Sequence, residues 1–98
     1  MIIRLVKMSF KSEEVANFLT VFESSKQAIR NYDGCLRLEL LQQTNQANVL
    51  TTYSWWESEE ALNNYRQSTL FKTTWAKTKP LFNDKPQAWS FKQICELT

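Results

Sequence analysis

Histidine is absent from this chain of 98 residues. With it go the commonest general base near neutral pH and the commonest metal ligand. Ser-His-Asp and Cys-His nucleophiles and imidazole-based zinc sites are therefore excluded. Cysteine is scarce, Cys35 and Cys95 only, with no Cys-x-x-Cys spacing. Two such thiols are most simply reduced and buried. The 12 Lys and Arg set against 10 Asp and Glu give a net charge of +2 with no basic block. Nucleic-acid binding would gather those cations on one face, so none is expected. No apolar run approaches the roughly 20 residues of a membrane span. The opening MIIRLVKMSFKSEE, interrupted by Arg4 and Lys7, is too short in hydrophobic length for a signal peptide. The expectation is a cytoplasmic protein without membrane or nucleic-acid partners.

Rings, by contrast, are plentiful: four Trp, three Tyr and six Phe. Such a load belongs in an aromatic core, or it lines a pocket or an interface. The length fits a single domain over residues 1–98. A monomer of this size buries only about two-thirds of its unfolded surface, so a self-associating face would add stability.

Along the chain, residues 2–9 are rich in β-formers and read as a first strand. Ser12 is placed to cap a helix whose first turn carries Glu13 and Glu14, where the helix dipole favours acids. Val15, Phe18, Leu19, Phe22 and Ile29 recur at helical spacing. Gly34, the only glycine, sits where a left-handed turn would close this region. From Cys35 the period changes to two, with Leu36, Leu38 and Leu40 on one face and Arg37 and Glu39 on the other. Residues 44–48 read as a hairpin turn and residues 49–56 as a third strand. Ser58 caps a second helix, with Leu62 and Tyr65 on its inner face and a kink or break near Ser68 and Thr69. A further turn or two carries Phe71 and Trp75 at i and i+4 and ends before Pro80. Residues 87–96 read as a last strand with Trp89, Phe91 and Ile94 as its apolar residues.

The order βαββαβ is the α+β, ferredoxin-like arrangement: a four-stranded antiparallel sheet with helices on one face. The other face would be bare in a monomer. Each leucine moved from water to a dry interface contributes roughly 1.5–3 kcal/mol, so the row at 36, 38 and 40 predicts a homodimer joined through the sheets, with that row or its alternating neighbours at the seam.

Residues 56–75, from the aromatic that ends the third strand through the acidic helix start to Ser68-x-x-Phe71 and Trp75, resemble the antibiotic biosynthesis monooxygenase family of dimeric α+β barrels. Tyr32-Asp33-Gly34-Cys35 before an alternating strand is similar to the family's middle. The resemblance implies activities of two kinds: oxygenation of phenols or quinols without metal or flavin, and haem breakdown. The haem-degrading branch is the more similar over this segment. It would call for an Asn on the first strand, a Trp on the second helix and an iron-ligating His. Here the first strand has no Asn, Tyr65 stands at the Trp position, and Trp75 stands at the His position. Indole donates through its N–H and offers iron no lone pair, so histidine-type haem ligation is excluded and no metal or cofactor is expected. By the same resemblance Cys35 starts the second strand and Cys95 ends the fourth. Opposite edges of one sheet are roughly 14 Å apart, too far for a disulfide.

The leading expectation is a cofactor-independent monooxygenase acting on a small aromatic substrate of the phenol or quinol type. The alternative is a non-catalytic dimeric module that binds a planar aromatic ligand. Tyr65 is the candidate catalytic group. Trp56, Phe71 and Trp75 would stack on a flat ring, and Arg4 and Arg37 would stabilise a phenolate. Against these roles stand a satisfied core tyrosine, core tryptophans and solvated strand arginines. The family's cavity is expected between the sheet and the second helical segment, unless the larger Trp75 ring fills it.

Overall fold

The computed structural model describes residues 1–98. β1 (Ile2–Ser9) leads through a 3₁₀ turn (Ser12–Glu14) into α1 (Val15–Arg30). β2 (Cys35–Gln43) and β3 (Gln46–Trp56) form a hairpin. α2 (Glu59–Arg66) and α3 (Thr69–Thr78) follow, then a second 3₁₀ turn (Lys79–Leu81) and β4 (Gln87–Lys92). The strands lie in the order β2-β3-β1-β4, all antiparallel, so the chain has the ferredoxin-like α+β fold.

Local chemistry accounts for the boundaries. Ser58 Oγ accepts from the Ala61 N–H at 3.1 Å, and Ser68 Oγ accepts from the Phe71 N–H at 3.0 Å. Each satisfies one orphan donor of the helix it starts, and Ser68 thereby separates α2 from α3 instead of merely kinking one helix. Ser12 makes no such bond, because the chain enters α1 through the 3₁₀ turn and Glu14 takes the cap position. The β2–β3 turn is only Thr44 and Asn45, so β3 starts at Gln46, three residues earlier than its β-formers indicate. β4 stops at Lys92. Ile94 is 90% exposed beyond it, and Cys95 is an exposed free thiol, whereas Cys35 is buried.

Strand register fixes two faces. Arg4, Val6 and Met8 of β1 lie opposite Ser54, Thr52 and Leu50 of β3 and point toward the helices, where Met8 and Leu50 are buried. Ile3 and Leu5 pair with Trp55 and Tyr53 on one side and with Phe91 and Trp89 on the other, forming the open face. β2 corrects the sequence reading. Cys35 lies opposite Trp56 and Arg37 opposite Trp55, which makes Leu36 the extra residue of a β-bulge. From there Leu38 and Leu40 pair with Ser54 and Thr52, and Leu40 packs on the helix-side core. These leucines therefore serve the helix-covered face, and the open face is furnished by aromatics of β3 and β4 around Ile3 and Leu5 of β1.

The core is split. Met8, Phe10, Phe18 and Leu50 form one buried cluster; Cys35, Trp56 and Leu62 form another. The end of β1 and the end of α3 are tied by the Phe10–Phe82 bridge and by the Asn83 N–H, which donates to the Ser9 carbonyl at 3.0 Å. No helix is long and apolar enough to cross a membrane.

Gly34 is the position where the backbone constrains residue choice most tightly. Its φ is +87°, and a Cβ there would stand 2.5 Å from the Ala61 Cβ of α2. Its carbonyl also accepts from the Glu57 N–H at 2.8 Å, which brings the loop against the start of α2. Gly34→Ala should cost about 2 kcal/mol or more, read as a lowered urea midpoint at unchanged m-value.

Candidate functional site

Between the two buried clusters the helices stand off the sheet and leave a cavity of about 300 Å³. This is at the small end of ligand pockets, whose usual range is roughly 300–1,000 Å³. Its floor is the helix-facing row of the sheet, with Arg4, Val6, Leu38, Ser54 and Trp56. Phe18 and Phe22 of α1 close one side, and Tyr65, Phe71 and Trp75 close the other. α1 thus supplies wall beside the second helical segment, a contribution its own apolar stripe already carried. Trp75 lines the cavity and does not fill it.

The rings are held by one another. Tyr65 stacks on Trp56 (centroids 4.9 Å, interplanar angle 24°) and meets Phe71 edge-on at 5.3 Å. Phe71 stacks on Trp75 at 5.8 Å, and Trp75 meets Phe82 at 5.6 Å. Phe82, Phe10, Phe18 and Phe22 continue the run. The break at Ser68 makes this arrangement possible, since it turns α3 enough to bring Phe71 beside Tyr65. Trp56 is 1% exposed, and its Nε1–H donates to Ser54 Oγ at 2.9 Å. It is a fixed floor plate with its polar atom already used.

Two groups give the cavity its polarity. The Tyr65 hydroxyl makes no hydrogen bond within the chain, yet it is not sealed off; Trp55 Nε1, on the opposite sheet face, is the only sealed side-chain polar atom without a partner. Burial, with the Cys35 thiol beside it as a lesser cause, holds the Tyr65 pKa well above the ordinary tyrosine range. Tyr65 is therefore a neutral donor at physiological pH and not a base. Arg4, half-buried, donates from Nη1 to Ser90 Oγ of β4 at 2.9 Å and has no carboxylate partner. Burial and then the nearby charge of Arg66 lower its pKa, so its charge is destabilised by its surroundings. Arg66 lines the cavity as well. Sequence reasoning passed over it, although its spacing of four from Leu62 puts it on the same helix face.

Arg37 does not belong to this site. The bulge at Leu36 turns it to the open face, where it pairs with Glu39 and lies over the Trp55 ring at 5.4 Å. Tyr65, Trp56, Phe71, Trp75 and Arg4 are thus brought together, and Arg37 is excluded. Cys35 stays behind Trp56 and Tyr65, and burial pushes its thiol up.

A family model described as antibiotic biosynthesis monooxygenase matches residues 1–77. The chain belongs to this family. The matched span runs from β1 almost to the end of α3 and contains Arg4, Trp56, Tyr65, Arg66, Phe71 and Trp75 of the cavity. A conserved protein of Methanosarcina mazei superposes with a TM-score of 0.89 at 21% identity, covering 95% of this chain and 93% of its own. A crystal structure of an antibiotic biosynthesis monooxygenase gives 0.90 at 13% identity, covering 97% and 100%. A variant of SnoaB, a cofactor-independent oxygenase from Streptomyces nogalater, gives 0.86 at 16% identity, covering 98% and 95%. At such identities these likenesses carry the fold alone. A search of curated proteins finds no match.

The family's haem-degrading branch prompts a test of the donor set. The lining holds no imidazole, thiol or carboxylate, its one thioether, Met8, is buried in the core cluster with Phe10, Phe18 and Leu50, and its one phenol is held neutral. These residues do not fit haem.

The raised pKa of Tyr65 has a consequence for stability. The folded state favours the neutral hydroxyl, so the associated stabilisation is complete below the unfolded value of about 10 and is lost as pH rises above it. Between pH 9 and pH 11 the wild-type urea midpoint should fall, and the fall should be smaller for Tyr65→Phe. Equal falls in the two proteins would place the alkaline lability elsewhere.

Proposed function

We propose that this family member is a cofactor-independent monooxygenase that oxidises a phenol or quinol bound between Trp56, Tyr65, Phe71 and Trp75. The carrying observation is a ring-walled cavity whose only charges are two unpaired guanidiniums. Such a cavity favours a flat apolar body with an oxyanion on it. For a simple phenol the balanced reaction is phenol plus dioxygen giving quinone plus water. One oxygen atom becomes the new carbonyl, the ring C–H bond breaks, and the second oxygen leaves as water with the hydrogens of the C–H and O–H. The substrate gives up four electrons and dioxygen takes them, so no other reductant enters.

The chain's own part follows from its residues. Arg4 beside the substrate hydroxyl lowers its pKa and holds the phenolate, which is the electron-rich form that reduces oxygen. Tyr65, neutral, donates a hydrogen bond to the same oxygen or to a reduced-oxygen intermediate. The rings exclude water from reactive species. No lining residue is a proton acceptor, so the substrate proton passes to solvent at the cavity mouth.

That missing acceptor is also what favours the second reading, a non-catalytic module binding a planar aromatic. Oxygen uptake with a panel of naphthols and quinols separates the two: uptake well above the protein-free rate supports the oxygenase, and binding without uptake supports the module. If Arg4 acts as described, kcat should rise with pH as the bound phenol ionises. Arg4→Met should move that rise up by about one unit and lower the neutral-pH value about tenfold. A profile that does not move would remove Arg4 from the chemistry.

We also propose a homodimer formed through the open sheet face. Ile3, Leu5, Tyr53 and Trp55 stand there beside Trp89 and Phe91, which are 43% and 47% exposed. Contiguous rings of this kind are costly to leave in water. Phe91→Glu would bury an unpaired charge at that seam, and sedimentation should then show monomer at micromolar concentration where the parent is dimeric. A monomeric parent would defeat the assembly.

A further inference from the structure

We infer that the substrate of this site carries a carboxylate in addition to its ring hydroxyl, and that Arg66 at the cavity mouth, beside Arg4 within, is the residue that selects for it. The inference rests on the aromatic cavity just proposed and names the class of ligand it takes: a planar aromatic hydroxy acid.

Charge inventory leads to it. The chain has ten acidic residues, yet its only ion pairs are Lys26–Glu23 and Arg37–Glu39, both away from the cavity. The lining brings together two guanidiniums and no anion, among walls that are otherwise mainly apolar. Each of the two has a local explanation, but the explanations are incomplete. Arg66 is in the last turn of α2, where a cation suits the helix dipole. That favours a base at the position and does not call for one that also faces a second arginine. Arg4 bonds to Ser90, a neutral acceptor that leaves its charge uncompensated. The two cations raise each other's cost, as the lowered pKa of Arg4 registers, and an anion between them would reverse the sign of that interaction. A phenolate near Arg4 would answer one of the charges and leave the other.

The positions also differ in a way that sorts two anionic groups. Arg4 is half-buried on the sheet floor and suits a group that ionises only when held. Arg66 is exposed at the rim and suits one already ionised in water, whose hydration need not be fully stripped. A guanidinium fork matches a carboxylate geometrically, in the bidentate manner. Serine and threonine hydroxyls at 54 and 52 lie on the floor between β1 and β2, so the polar strip is continuous with the Arg4 end of the cavity.

Calorimetric titration under anaerobic conditions, where the proposed reaction lacks its oxidant, tests this with three probes: 1-naphthol, 1-hydroxy-2-naphthoate and its methyl ester. The acid should bind about tenfold or more tightly than either neutral compound, the scale of one charge-assisted hydrogen bond. The advantage should shrink as salt is raised, because Arg66 is solvent-exposed. In Arg66→Met the ratio of acid to ester affinity should fall toward one, and in Arg66→Lys it should be partly restored. A circular dichroism spectrum like the parent's shows that the variants are folded. Equal affinity for acid and ester in the parent overturns the carboxylate while leaving the aromatic cavity standing. A ratio unchanged by Arg66→Met overturns the assignment to Arg66. Failure of all three probes to bind overturns this inference together with the aromatic site beneath it.

Discussion

The stacking of Tyr65 on Trp56 is the contact on which the rest of the molecule depends. It joins the smaller buried cluster, around Cys35 and Leu62, to a run of rings that ends in the larger cluster, around Phe10 and Phe18. Rings in contact make a stiff frame, since each has few rotatable bonds and a preferred approach to the next. A stiff frame can hold apolar walls apart where flexible aliphatic side chains would have closed on the space. The cavity between the clusters is therefore not a packing fault. It is what remains when two small cores are bridged by rings instead of merged into one. An empty apolar volume has a cost that grows with its size, and that cost is tolerable here because the frame is anchored at both ends.

The polar groups in that volume are one-directional. Arg4 and Arg66 attract negative charge, Tyr65 donates, and nothing there accepts a proton. The lack of histidine, the first observation on this sequence, reappears in the structure as a site that can stabilise an anion but cannot create one by deprotonation. Chemistry under such conditions has to begin with an acidic substrate, and the local positive charge makes it more acidic still. In the proposed reaction this is the link between the absence of a cofactor and a phenolic substrate: the substrate would supply the electrons, and the protein would shift one equilibrium in its favour.

The elements of the fold were legible because their periods are clean: Phe18, Phe22 and Ile29 at helical spacing, Leu38 and Leu40 at a spacing of two, Ser58 ahead of paired glutamates. The meeting of Trp56, Tyr65, Phe71 and Trp75 was legible too, from a strand end feeding a helix whose inner face carries the rings. What escaped has a single physical origin. Alternation shows which residues share a face but not which face it is, and one inserted residue reverses the assignment. The bulge at Leu36 leaves no mark in composition, so Leu38 and Leu40 were expected on the open side and Arg37 in the pocket. Arg66 escaped for another reason: an arginine after a helix's last inner residue looks like any solvated end, and only the absence of a carboxylate near it gives it meaning.

β1 ties the two faces together. Its alternation sends Arg4, Val6 and Met8 into the cavity while Ile3 and Leu5 face the opposite way, between the rings of β3 and β4. A strand paired on both edges and packed on both faces has little freedom to tilt. An unpartnered open face would leave β4 held mainly by its pairing to β1, and β4 carries Ser90, the one acceptor that positions the Arg4 guanidinium. Covering Trp89 and Phe91 with a second copy would press β4 against β1 from the far side. Assembly and chemistry are then coupled through a few ångströms of sheet: whatever steadies the open face also fixes the cation that the cavity presents to its ligand.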